Sequence, residues 1–279
     1  MNEFNTKIVL DSSADLPTAK SVPMLSVPLK IITADKEFVD NEELNVDEMI
    51  DYLKTYTGKS KTSCPNPQEY LEAFGDAENV FCITITSSLS GSYNAACIAK
   101  AQYEEAHPER KVYVFDSLSA GPELAVAADF IDEAIAEGKS FGEICDMLDN
   151  FRDKTGLVFM LESLKNLANN GRVSPLVAKV TSVLGIRVVG KASDEGTLQP
   201  LEKCRGGKKA VSALAENMKK EGFKGGKVKI AHCRNEAAAR SLCDLLQREF
   251  GSFEHEIYPC HGLCSFYAEE GGLLVGFEK

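Results

Sequence analysis

The chain has 279 residues, 44% of them hydrophobic and 26% charged, and a formal net charge of −11 at pH 7. That length accommodates one large α/β domain or two smaller ones, and two are expected. Lys and Arg are interspersed among a larger number of Asp and Glu, which excludes the basic footprint of a nucleic-acid binder, and without an apolar run long enough to span a membrane or a cleavable signal peptide, a soluble cytoplasmic protein is expected.

Lys7 to Leu10 is a short apolar run followed by Asp11-Ser12-Ser13-Ala14-Asp15-Leu16-Pro17, which predicts a strand and then capping residues. Val22 to Ile32 predicts an edge strand, because Pro23 and Pro28 lack a ladder donor. Val46 to Tyr56 predicts a helix capped by Asn45. The polar turn Thr62-Ser63-Cys64-Pro65-Asn66-Pro67 then leads into a helical stretch from Gln68 to Phe74. The strand at 80–86 runs into Ser87-Ser88-Leu89-Ser90-Gly91-Ser92 and a small-residue helix, and Lys111 to Asp116 precedes a long helix from Glu123 to Glu137. Strands alternating with helices predict a mostly parallel sheet covered on both faces, an α/β/α sandwich spanning residues 1–150.

The second half, 151–279, is expected to be an α+β domain. Gly156 to Met160 predicts a strand, and Leu161 to Ala168 a helix closed by Asn169-Asn170-Gly171. Ser174-Pro175 opens a helix to about Val183. Ile186 to Val189 and Gln199 to Cys204 flank Ser193-Asp194-Glu195-Gly196 as a hairpin. A helix from Lys208 to Lys220, a strand Val228 to His232, a helix Ala237 to Phe250 and strands at 256–258 and 273–277 complete it.

Strand-to-helix turns expose backbone N–H groups and the positive end of the helix dipole at the carboxyl edge of a sheet. Ser87, Ser88, Ser90 and Ser92 add hydroxyl donors there, and the Thr62 turn could face them across a cleft between the domains. Together the two turns suggest a clamp for a carboxylate or phosphate, with helix capping as the plainer alternative for either alone. Arg172 follows a tight turn and could reach the cleft to fork an anion; a surface arginine is the alternative.

Other chemistry finds little support. The Gly-X-Gly-X-X-Gly, Walker and Gly-X-Ser-X-Gly patterns are absent, and Gly206-Gly207-Lys208-Lys209 is too short to replace them, so no cofactor is expected. His107 reads as a solvated loop residue and His232 as a core histidine. Cys260-His261-Gly262-Leu263-Cys264 invites a zinc site, but no second thiol pair follows and no metal is expected. Asp11 and Asp15 read as cap or turn residues rather than a catalytic pair. The odd set of nine cysteines, Cys82, Cys97, Cys145, Cys233 and Cys243 among them, reads as reduced core filler.

Asp11-Ser12-Ser13-Ala14-Asp15-Leu16, Thr62-Ser63-Cys64-Pro65, Ser87-Ser88-Leu89-Ser90-Gly91-Ser92-Tyr93 and Asn170-Gly171-Arg172, in this order, resemble the DegV family across essentially the whole chain. The resemblance implies a two-domain, non-enzymatic lipid-binding protein that holds one long-chain fatty acid between its domains. It implicates Ser63 and Ser90 as direct carboxylate ligands, with Thr62 and Gly91 beside them and Arg172 nearby. Some members serve as the acyl-presenting subunit of a fatty acid kinase. Two departures bear on that partnership. Cys64 stands where a Gln is common, and Ala268-Glu269-Glu270-Gly271-Gly272 stands where a His-X-Gly-Pro-Gly segment is common. Two added carboxylates and a missing imidazole should make the cleft mouth less welcoming to an acyl phosphate or a kinase.

About fifteen methylenes at ~0.8 kcal/mol each could supply roughly 12 kcal/mol on burial before ordering costs, so the head group need only be satisfied. The alternatives are an acyl hydrolase or transferase with Ser90 or Cys64 as nucleophile, and a carrier of another small amphiphile. Chain length, saturation and the tunnel itself are not legible, since core and tunnel-lining Leu, Ile, Val and Phe look alike.

Overall fold

The computed structural model describes residues 5–15, 19–174 and 185–279. Leu16, Pro17 and the helix expected from Pro175 to about Val183 lie outside the described residues.

The first half runs β1 (Thr6–Asp11), β2 (Met24–Val27), β3 (Lys30–Ile32), β4 (Glu37–Val39), α1 (Val46–Thr55), β5 (Lys61–Ser63), α2 (Pro67–Phe74), β6 (Asn79–Thr84), α3 (Ser92–Ala106), β7 (Lys111–Asp116), α4 (Pro122–Ala136) and α5 (Phe141–Asp149). The second runs β8 (Thr155–Leu161), α6 (Lys165–Asn169), β9 (Ile186–Ala192), β10 (Leu198–Arg205), α7 (Gly207–Lys220), β11 (Val228–His232), α8 (Glu236–Phe250), β12 (His255–Pro259), α9 (Gly262–Ala268) and β13 (Leu273–Glu278).

β2, β1, β6 and β7 form a parallel sheet in that order. Its strands are apolar at successive positions, as burial on both faces requires. Ile8, Leu10, Phe81 and Ile83 pack under α4 and α5, whereas Val9, Val80 and Cys82 pack under α2 and α3. This is the expected α/β/α sandwich. Local signals set the helix starts: Asn45 caps α1, and Asn66 and Ser140 form capping boxes with Glu69 and Glu143.

The second sheet has six strands in the order β10-β9-β8-β13-β11-β12, antiparallel except for β11 and β12. Val158 and Met160 face α7 and α8, while Phe159 and Leu161 face a separate core with Ile31, Met49 and Phe266. A small antiparallel sheet, β4-β3-β5, carries Ile31 there. Thus a segment from the first half of the chain shares its core with the second.

The structure corrects several expected elements. The single strand from Val22 to Ile32 is two, broken at Pro28, because the next N–H, that of Leu29, is taken by the Ser12 hydroxyl at 3.0 Å. The helix expected from Leu161 begins only at Lys165. The strand instead extends through Leu161, which pairs with Val188, and neighbours on both sides of β8 override an ambiguous apolar run. β4, β5, α5 and α9 were not expected; α9 occupies the stretch that suggested zinc.

Gly276 in β13 lies against the first turn of α4. A Cβ there would sit 2.4 Å from the Glu123 backbone nitrogen and 2.5 Å from the Pro122 carbonyl carbon. Both obstacles are backbone and cannot swing aside. Gly276→Ala is therefore expected to cost about 3 kcal/mol, the upper end of overpacking, or several degrees of melting temperature. A variant melting with wild type would contradict so close an approach.

Candidate functional site

The carboxyl ends of β1, β6 and β7 open onto the Phe159 face of the second sheet, where ligands of open α/β sheets characteristically bind. A partly open, largely apolar pocket lies at this junction. Leu157, Phe159 and Leu161 face it from alternate positions of β8, and Ile85, Leu89 and Leu263 face it from the loops and from α9. The walls are overwhelmingly apolar. Polar side chains enter at the strand ends: Ser13, Thr62, Thr86, Ser90, Ser119, Arg172 and Tyr267 among them.

The turn of the β9–β10 hairpin closes one side. Gly196 lies over Thr86 so tightly that a Cβ would be 2.1 Å from the threonine hydroxyl, and its φ of +74° is one that glycine adopts freely. The Ser88 hydroxyl donates to the Glu195 carbonyl at 2.6 Å and fastens the hairpin to the serine turn.

Of the residues singled out from the sequence, Thr62, Ser90 and Arg172 line the space together. The Thr62 hydroxyl lies 2.7 Å from that of Tyr267, and Ser90 2.9 Å from Ser92. Arg172 donates from Nε to the Leu89 carbonyl at 3.1 Å and from Nη1 to the Asn170 carbonyl, which fixes its guanidinium across the mouth.

Ser63 and Gly91 are placed differently. Thr62 and Ser63 are successive residues of a strand, so they point to opposite sides. Ser63 is exposed and donates to the Cys64 carbonyl at 3.2 Å. Gly91 precedes α3, where a Cβ would be 3.0 Å from the Cys64 sulfur; its small size lets the two turns meet.

Glu269 and Glu270 are drawn away from the mouth, contrary to the expected repulsion there. Glu269 accepts from the Ser163 hydroxyl at 2.7 Å and the Asn166 N–H at 3.3 Å, and Glu270 pairs with Lys54 at 2.9 Å. Ala268 does line the space, as part of α9.

Behind the polar end lies a buried acidic layer; Asp11 and Asp15 read in the sequence as cap or turn residues, and Asp40 was not singled out. Asp11, fully buried, accepts from the Ile85 N–H at 2.8 Å and the Ser13 hydroxyl at 2.5 Å; burial dominates and raises it to about 6. Asp15, left-handed at φ 59°, accepts from the His261 N–H at 2.8 Å and is raised by burial to about 7. Asp40 accepts from Ser12 Oγ, His261 Nδ1 and the Gly262 and Leu263 amides, between 2.5 and 2.9 Å. Burial opposes charge on His261, but Asp40 outweighs it and the imidazole is raised.

None of the four histidines lines the space. His261 is committed to Asp40, and His232 accepts from the Asn235 N–H at 3.3 Å. Ser90 and Cys64 therefore have no imidazole poised as a base, which a serine or cysteine nucleophile needs. All nine cysteines are free thiols; the Cys264 thiol donates to the Ser13 carbonyl at 3.2 Å. Among the described residues no group of His, Cys, Asp or Glu is disposed to hold a metal ion, and no helix is long and apolar enough to cross a membrane.

Tyr267, Ser13 and Ser119 were missed as lining residues. A hydroxyl pattern could have flagged Ser13, but Tyr267 reaches Thr62 across 205 residues with no local signal.

Residues 5–279 match the family described as "Uncharacterised protein, DegV family COG1307". A DegV domain-containing protein of Streptococcus pneumoniae is 44% identical over 276 residues, covering 98% of each chain. The structure is similar to that of the S. pneumoniae Fatty Acid Kinase (Fak) B3 protein loaded with linoleic acid, with TM-score 0.96, 43% identity, and coverage of 98% of this chain and 99% of that one. It is equally similar to a DegV family protein of Eubacterium eligens loaded with heptadecanoic acid, with TM-score 0.96, 42% identity and the same coverage.

Proposed function

The chain belongs to the DegV family, and on that premise we propose that it carries one long-chain fatty acid, tail in the apolar space and carboxylate at its polar end. The observation that carries this reading is the segregation within one cavity. Apolar side chains from the second sheet, from α9 and from the loops that follow the parallel strands form its body, while Thr62, Ser90 and Arg172 converge where three parallel strands end. Such a site satisfies a head group with hydroxyl and guanidinium donors while the methylenes drive binding.

Thr62 and Ser90 are the direct carboxylate ligands in this proposal, and Arg172 supplies the nearby positive charge. Ser63 supports the turn from outside, and Gly91 permits the close approach of the two turns. The domain division falls near residue 150, between α5 and β8, with the β3–β5 segment packing onto the second domain. No cofactor is required, because the task is binding and presentation; the work is done in the cytoplasm. The likeness to a Fak B3 protein supports a role as the subunit that presents the acyl carboxylate to a kinase, the catalytic groups being the partner's.

Native mass spectrometry of the purified protein, followed by denaturation and analysis of what is released, tests the reading. One equivalent of a long-chain fatty acid is expected. A protein that carries none and also fails to take up added linoleate would sink it.

A further inference from the structure

The apolar pocket ends where a second cavity begins. Among the described residues, Leu157 and Ala192 alone line both the pocket and a polar cavity beside it, whose walls include Glu123, Arg152, Thr155, Asp194 and Lys279. Strand register puts those two residues together. β8 and β9 pair with Val158 opposite Lys191, so the next step sets Leu157 beside Ala192, and Ala192 is in turn opposite Leu198 of β10. On its other flank Leu157 is opposite Gly276, where the backbone of the first turn of α4 occupies the place of a side chain. The facing loop divides at the same point: Ser119 and Ala120 line the apolar pocket, Ser117 and Leu118 the polar cavity. The hairpin turn closes onto that loop, since a Cβ on Gly196 would be 3.0 Å from the Leu118 Cα. A row of Leu198, Ala192 and Leu157 thus bounds the apolar space between the hairpin and α4.

Resting on the fatty-acid reading above, we infer that the Leu157–Ala192 pair is the acyl stop of the pocket, the specificity-determining contact that sets the longest tail bound in full. Arg172 marks the head-group end: it follows β8 beyond Leu161 and α6, and its Nε holds the carbonyl of Leu89, next to Ser90. Leu157 lies toward the other end of β8, about 13 Å along the strand from Leu161. Each methylene that stays on the apolar side of the pair raises affinity about fourfold. One pushed past it meets Glu123, Arg152 and Lys279 in place of hydrocarbon and gains nothing.

Displacement of a fluorescent fatty acid by saturated acids of graded length reads the stop as a break: affinity climbs about fourfold per carbon and then levels. Leu157→Ala takes an isopropyl group from the wall and moves the break up by about two carbons. Ala192→Leu, at a half-buried position facing both cavities, moves it down by a similar amount. Acids that end short of the pair bind wild type and both variants alike, which a merely destabilising change would not allow. Should Leu157→Ala fail to fold, Ala192→Leu reads the same stop from the neighbouring strand. A break that stays at the wild-type length in either folded variant, a loss shared by all lengths, or a wild-type series with no break overturns the inference and leaves the fatty-acid reading standing. Wild-type protein that binds no acid of any length overturns that reading and this inference with it.

Discussion

Replacing Thr62 and Ser90 together by alanine is expected to weaken fatty-acid binding by two to four orders of magnitude. Each hydroxyl that donates to a carboxylate is worth about 1.5–3 kcal/mol, and every 1.4 kcal/mol is about tenfold in Kd. The tail contribution is untouched, because neither side chain belongs to the Leu and Phe body of the cavity. The single variants are expected to lose about tenfold to a hundredfold each, with a non-additive remainder, since both act on one head group. Thr62→Ser controls for the Tyr267 bond, 2.7 Å in length, because it keeps the hydroxyl. Displacement of a fluorescent fatty acid compares the four variants with wild type. A double variant within threefold of wild type, still melting cooperatively, would remove these residues from the clamp.

Asp40→Ala is expected to destabilise the protein by about 3–5 kcal/mol, the cost of breaking one side of a buried charged network. Residue 40 is fully buried, and its carboxylate caps α9 from a distance of over two hundred residues. Its Oδ1 takes the Gly262 amide at 2.7 Å and Oδ2 the Leu263 amide at 2.9 Å, whereas His261 at the N-cap position contributes no side-chain cap. The same carboxylate holds Ser12 at 2.7 Å and the His261 ring at 2.5 Å. Alanine leaves these donors buried and unpaired. Because α9 carries Leu263, Tyr267 and Ala268 into the cavity wall, fatty-acid affinity falls as well.

The pH dependence of this variant has a definite sign. The imidazole of His261 is raised in the folded protein, so its pairing with Asp40 stabilises below the unfolded value of about 6.5 and is lost as pH rises through the folded one. The gap between wild type and Asp40→Ala therefore narrows with rising pH. Denaturant titration across that range, with the His261 ring followed by NMR, checks both parts. A His261 titration that the substitution leaves in place would contradict the pairing.

Elements governed by neighbours within a few residues were legible in the chain itself. Asn45 caps α1 through an amide three positions on, and the start at Val46 followed from the sequence. Fully apolar strands such as Val80 to Ile83 announced a parallel sheet buried on both faces. The serine turn after β6 and the Thr62 turn stood out because hydroxyls concentrate before a helix. The apolar run around Leu161 did not resolve, because a short buried strand and a buried helix share that composition until pairing decides.

What the sequence by itself determined is the α/β alternation, the two hydroxyl turns and the candidate anion-binding end, since capping and periodicity act over distances the local chain controls. Tertiary structure alone decided that Thr62 rather than Ser63 faces the cavity, that Leu157, Phe159 and Leu161 form its wall, and that Asp40 caps α9. Those outcomes depend on which strand face meets which loop across up to two hundred residues, and long-range packing leaves no trace in the order of neighbouring side chains.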